Sequence, residues 1–303
     1  MAIRPAAVAG QFYPAGASKL RESIREYIRA AEVEAAPERA AALISPHAGH
    51  VYSGPTAGFA FARVQGKSPE RVVLLGRSHR FYFDGASIPA VDGFETPLGV
   101  LPLDEACCRE LKQRVPEGPQ QAHDYEHALE VQCPFVQVAL GEVPIVPVLF
   151  GSDTAELHIA MGQTLAEVLG PNDLVIASTD LSHFLDEEQA NVIDKRTLDR
   201  VLSKDYEALA RELADETCSM CGGTAVVVAM AYALAMTMSL AVALVVDRVT
   251  PVALIQDFSP WVALLGLAIV GIEIGVLWSY RVGVPITSLP VIAAGAVPLC
   301  LLP

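Results

Sequence analysis

Residues Leu174-Val175-Ile176-Ala177-Ser178-Thr179-Asp180-Leu181-Ser182-His183 decide the fold: an apolar, β-branched run breaks into a polar cluster that ends in histidine. Three other segments repeat the pattern. Ala42-Leu43-Ile44 leads into Ser45-Pro46-His47-Ala48-Gly49-His50, and Val72-Val73-Leu74-Leu75 into Gly76-Arg77-Ser78-His79. Val146-Pro147-Val148-Leu149-Phe150 ends in Gly151-Ser152-Asp153. Short apolar runs bounded by turn signals and separated by helical patterns predict an α/β fold with a largely parallel or mixed central sheet and flanking helices. The carboxyl ends of such strands open onto the ligand crevice. The histidines are therefore expected to converge there, in a metal or catalytic site.

The segments between the runs read as helices. Ser18 to Ala36 sets Leu20, Ile24, Tyr27 and Ile28 at helical spacing. Gly54 to Val64, Asp104 to Arg114 with Asp104 as its cap, Thr154 to Leu169 ended by Gly170-Pro171, and Glu187 to Leu213 follow the same logic. Asp124 to Gln132 is polar and runs into an apolar helical stretch to Leu140. His127 and Glu130, three apart on it, are expected to share a side and line the pocket, the competing reading being a simple surface pair.

Composition narrows the function. Asp and Glu number 35 against 21 Lys and Arg, and the net charge of -14 argues against a partner recognised through a phosphate backbone. The first residues, Met1-Ala2-Ile3-Arg4-Pro5, lack the apolar core of a signal peptide, and six cysteines show no disulfide framework, so a cytoplasmic location is expected. Cys218 and Cys221 make a C-x-x-C pair with no second pair to complete a zinc-finger site.

Two histidines, His47 and His79, leave the metal open among zinc, copper, iron and nickel. The third ligand lies among Cys221, Asp180, His183 and Glu130. Cys221 precedes an apolar helix starting near Thr224, where free N–H groups favour the thiolate; a buried, unreactive thiol is the competing reading. Asp180, within a turn of His183, is placed to orient that imidazole for acid–base work, or else simply to cap the next helix.

Taken in order, these pieces resemble the MEMO family, which includes protein B of the AmmeMemoRadiSam system. The matching residues are Val8-Ala9-Gly10-Gln11-Phe12-Tyr13-Pro14, Pro46-His47-Ala48-Gly49, Ser78-His79, Glu126-His127-Ala128-Leu129-Glu130, Ser178-Thr179-Asp180-Leu181-Ser182-His183 and Cys221-Gly222. The resemblance implies a fold related to class III extradiol dioxygenases and a metal held by His47, His79 and Cys221. The family's neighbouring Asp and His then fall on Asp180 and His183, which are expected to support the ligands or to supply acid–base chemistry. Iron or copper is the implied metal, with zinc behind them. The implied activity is redox chemistry on an unknown small molecule. A zinc-type metallohydrolase is the alternative, as is a non-catalytic scaffold beside a radical SAM protein and an AMMECR-type partner. Arg77 stands where the family pattern leads one to expect proline. The polar Ser-Gly-Asp segment and final strand expected after Met236 are also missing.

The end of the chain has a different character. No charge occurs from Thr224 to Val246, and Trp261 to Tyr280 holds only Glu273, which helps raise the mean hydropathy to +0.38. The expected division is a metal-binding α/β domain over 1–238 and a hydrophobic tail over 239–303. The first half of Thr224 to Val246 reads as a buried helix of the domain. The tail reads either as membrane segments or as the product of a fusion or frameshift.

Overall fold

A computed structural model of the chain describes residues 2–33, 35, 40–152 and 155–248. In chain order the elements are β1 (Ile3–Arg4), α1 (Ala17–Ala30), β2 (Ala42–Ser45), α2 (His50–Ala62), β3 (Val72–Arg77), β4 (Ala86–Ser87), β5 (Gly93–Thr96) and β6 (Gly99–Pro102). They continue with α3 (Glu105–Lys112), α4 (Cys133–Ala139), β7 (Ile145–Phe150), α5 (Ala155–Val168), β8 (Leu174–Ser178), α6 (Glu187–Leu202), α7 (Tyr206–Ala214) and α8 (Gly223–Arg248).

The four apolar runs form one sheet, in the order β2-β8-β3-β7-β4. Its first four strands are parallel, and β4 pairs antiparallel with Leu149 and Phe150 at the edge. Every residue of β7 and β8 is buried, as a strand covered on both faces requires. Pro147 sits opposite Leu74 inside β7, a position that normally excludes proline. It is accommodated because β4 reaches only Leu149 and Phe150, so Pro147 has a ladder partner on one side alone. A second sheet, β1-β5-β6, brings the N-terminal strand beside a hairpin. Helix α1 packs on α2 and α4, while α5 packs on α3 and α7.

Helix ends depart from the periodicity where the backbone turns left-handed. The helix expected to reach Ala36 stops at Ala30, two residues before Glu32 at φ 49°. The long helix expected from Glu187 to Leu213 is two, broken at Lys204 with φ 59°, after which the Asp205 carboxylate accepts from Ala208 N and starts α7. The polar segment before α4 is not helical through His127. A 3₁₀ turn at Gln120–His123 and another at Glu130–Gln132 flank it, and α4 begins at Cys133 with Pro134 in its first turn.

The chain divides into two compact units, Met1–Ser239 and Leu240–Pro303. Among the described residues no helix is long and apolar enough to cross a membrane. The readings of the tail rest mainly on residues 249–303, which lie outside the described residues.

Candidate metal centre

Strands β2, β8 and β3 are neighbours and parallel, so the residues that follow them meet at one rim. His47 lies two residues beyond β2, Asp180 two beyond β8, and His79 two beyond β3. Cys221 arrives from the start of α8. Its approach depends on Gly222: a Cβ there would stand 2.2 Å from the Ser178 carbonyl oxygen, closer than real atoms come.

The donor atoms of His47, His79 and Cys221 all lie within 4.8 Å of one another. Each imidazole is held by a different partner. Ser178 Oγ donates to Ala128 O at 2.6 Å, so at 3.0 Å it accepts from His47 Nδ1, which turns Nε2 toward Cys221 Sγ, 3.0 Å away. On the other side His79 Nδ1 donates to Glu126 Oε1 at 2.9 Å. The Cys221 thiol is pushed down to about 5: burial works against this, but hydrogen bonds from His47 and His79 and the Asp180 N–H outweigh it. His79 is pushed up to about 9, with burial again opposing and Cys221 and Glu126 prevailing. A thiolate and two imidazoles whose outer nitrogens are already engaged form a donor set suited to a soft or borderline transition metal.

Sequence comparison identifies the family. A profile described as Memo-like protein matches residues 4–246. The chain belongs to the Memo family. A MEMO1 family protein of Archaeoglobus fulgidus is 34% identical over 238 residues, 77% of this chain and 88% of the relative. One of Ignicoccus hospitalis is 35% identical over 245 residues, 76% of this chain and 86% of that one. One of Aquifex aeolicus is 33% identical over 274 residues, 88% and 99% of the two chains. An uncharacterized protein of Escherichia coli K12 matches in structure at a TM-score of 0.37 and 19% identity, over 55% of this chain and 75% of that one.

Around the triad of this Memo-like chain, Asp180 Oδ1 accepts from the backbone N–H of His47 at 2.9 Å and of Ala48 at 3.3 Å. Its Oδ2 stands 3.9 Å from both His47 Nε2 and His183 Nε2, beyond a hydrogen bond to either. Asp180 therefore shapes the β2 loop and adds negative charge. It does not cap α6, whose N-cap is Asp186. His183 is 46% exposed, borders the triad, and also lines a cavity of about 460 Å³ with Arg77, Met220 and Thr224. The His127 ring lies 4.4 Å from that of His79 and 5.2 Å from that of His47.

Glu130 does not join it. Fully buried, it accepts from Arg4 Nη1 at 2.7 Å, from Ala7 N and Val8 N at 2.9 Å each, and from the Tyr13 hydroxyl. The expectation that Glu130 shares a side with His127 fails because the segment between them is not a continuous helix. The acid that faces the site is Glu126, a role that its place in the Glu126-His127-Ala128-Leu129-Glu130 segment does not mark. Nor do Cys218 and Cys221 act as a pair: Cys218 Sγ donates to Glu212 Oε2 at 3.2 Å.

Proposed function

We propose that the chain binds one transition-metal ion, iron or copper, through His47, His79 and Cys221, and that the centre serves redox chemistry on a small molecule. The observation that supports this most is the meeting of three donor side chains from three separate loops, with the sulfur favoured as thiolate. Iron or copper bound there would supply one-electron chemistry, whereas zinc would supply Lewis acidity. The protein's own share is positional. Ser178 and Glu126 hold the outer nitrogens of His47 and His79, so Nε2 of each is presented to the site. Asp180 fixes the loop that carries His47. His183, half exposed between the triad and the cavity, is the group placed to give or take a proton from a ligand seated there.

A zinc-type hydrolase is the second reading. It is favoured by the N₂S donor set with an acid and an imidazole alongside, since catalytic zinc takes three protein ligands and keeps a position open. Anaerobic titration of the full chain with Fe(II), Cu(I) and Zn(II) tests both. One equivalent of iron or copper, with a thiolate-to-metal absorption band absent from Cys221→Ser, supports the redox reading. Preference for zinc with hydrolysis of model esters supports the second, and no stoichiometric uptake of any of the three overturns both.

A further inference from the structure

The two imidazoles of the triad are backed unequally. His47 leans on a hydroxyl, Ser178 Oγ. His79 leans on a carboxylate that is 2% exposed, Glu126. That carboxylate spends its acceptor capacity on the site loops. Its Oε2 takes His79 N at 2.7 Å, and its Oε1 takes His79 Nδ1 at 2.9 Å, His127 N at 2.9 Å and Ala128 N at 3.0 Å. His127 Nδ1 stands 3.2 Å from the same Oε1. Although His79, Glu126 and His127 also lie close enough together to suggest a second metal position, a carboxylate so fully engaged by protein donors has little left for an ion. The loop itself is braced from outside. Arg4 Nη2 donates to Glu126 O at 2.7 Å and Arg4 Nε to His123 O at 2.6 Å, while Arg4 Nη1 pairs with buried Glu130. The motif therefore has two buried acids with opposite tasks: Glu130 ties the loop to the N-terminal segment, and Glu126 ties it to the ligands.

We propose that Glu126 is the positioning residue of the centre: it fixes the His79 ring with Nδ1–H inward and Nε2 toward Cys221, and holds His127 over the same pocket. This rests on the metal reading above. A carboxylate on the outer nitrogen of a ligating imidazole sets its orientation and raises its donor strength, and losing it typically costs 10–100-fold in metal affinity.

The test uses Co(II) as the probe with the full chain and its Glu126→Gln, Glu126→Ala and Ser178→Ala variants, each checked for wild-type circular dichroism. The expected result is Co(II) binding weakened 10–100-fold in Glu126→Ala and less in Glu126→Gln, which keeps one acceptor oxygen, with a changed d–d envelope but a retained thiolate-to-cobalt band. Wild-type affinity and spectrum in a folded Glu126→Ala overturn the proposal. A readout without metal accompanies it: a His79 Nδ1–H signal in ¹⁵N-labelled wild-type protein, downfield and protected from exchange, that disappears in Glu126→Ala and moves upfield in Glu126→Gln. Its absence from wild type also overturns the proposal, even if cobalt binds. If the signal is present but wild type takes up no cobalt, the metal reading fails while the Glu126–His79 contact stands.

Discussion

Replacing Arg4 by methionine leaves the Glu130 carboxylate in place but takes away its cationic partner. In the native protein the Arg4 side chain is 5% exposed and Glu130 0%, and the guanidinium also serves the carbonyls of His123 and Glu126. Glu130 would keep the N–H groups of Ala7 and Val8 and the Tyr13 hydroxyl, whose phenol burial beside Glu130 already pushes up. Breaking a buried pair by deleting one member costs about 3–5 kcal/mol, because the remaining charge is uncompensated. For a domain of this size each kcal/mol moves the midpoint by about 2–4 °C, so Arg4→Met is expected to lower Tm by roughly 6–20 °C. Urea denaturation gives the free energy directly. The double variant Arg4→Met/Glu130→Gln, which removes both charges, should recover part of the loss rather than add to it. A destabilisation of Arg4→Met below about 1 kcal/mol, or losses that simply add in the double variant, would refute the view that this pair clamps the site loop.

Two more outcomes follow from the same geometry. Gly222→Ala places a Cβ against the Ser178 carbonyl and should cost about 1–3 kcal/mol as overpacking, while displacing Cys221; it is measured by urea melts together with the reaction rate of Cys221 toward a thiol reagent. His50 and His123 are both pushed down to about 4, chiefly by burial, so the unfolded chain binds their protons first as pH falls from about 6.5. Their contribution is present above pH 6.5 and is lost toward pH 4, by up to about 3 kcal/mol per histidine. A His123→Gln variant, compared with wild type at pH 7 and 4.5, should lack that residue's share of the decline, and an identical decline contradicts the assignment.

The sheet was legible because its strands are apolar, β-branched and bounded by polar turns, and parallel strands bring their carboxyl ends to one rim. That logic alone places His47, His79, Asp180 and His183 together. Cys221 came from its position before an apolar helix and from the family pattern. The roles of Glu126 and Glu130 were not legible. Both acids sit in one polar segment, and which faces the site depends on a backbone that leaves helical geometry between two 3₁₀ turns. The sheet β1-β5-β6 left no periodic signal, since its strands have only two to four residues. The helix breaks at Glu32 and Lys204 carry neither glycine nor proline, so their left-handed backbone has no mark in composition.

Elemental analysis of anaerobically purified full-length protein, wild type beside His47→Ala, His79→Ala and Cys221→Ala, tests the central claim most directly. The account predicts near-stoichiometric iron or copper in wild type and its loss from all three folded variants. Metal unchanged in Cys221→Ala, or absent from folded wild type even after reconstitution, would contradict it.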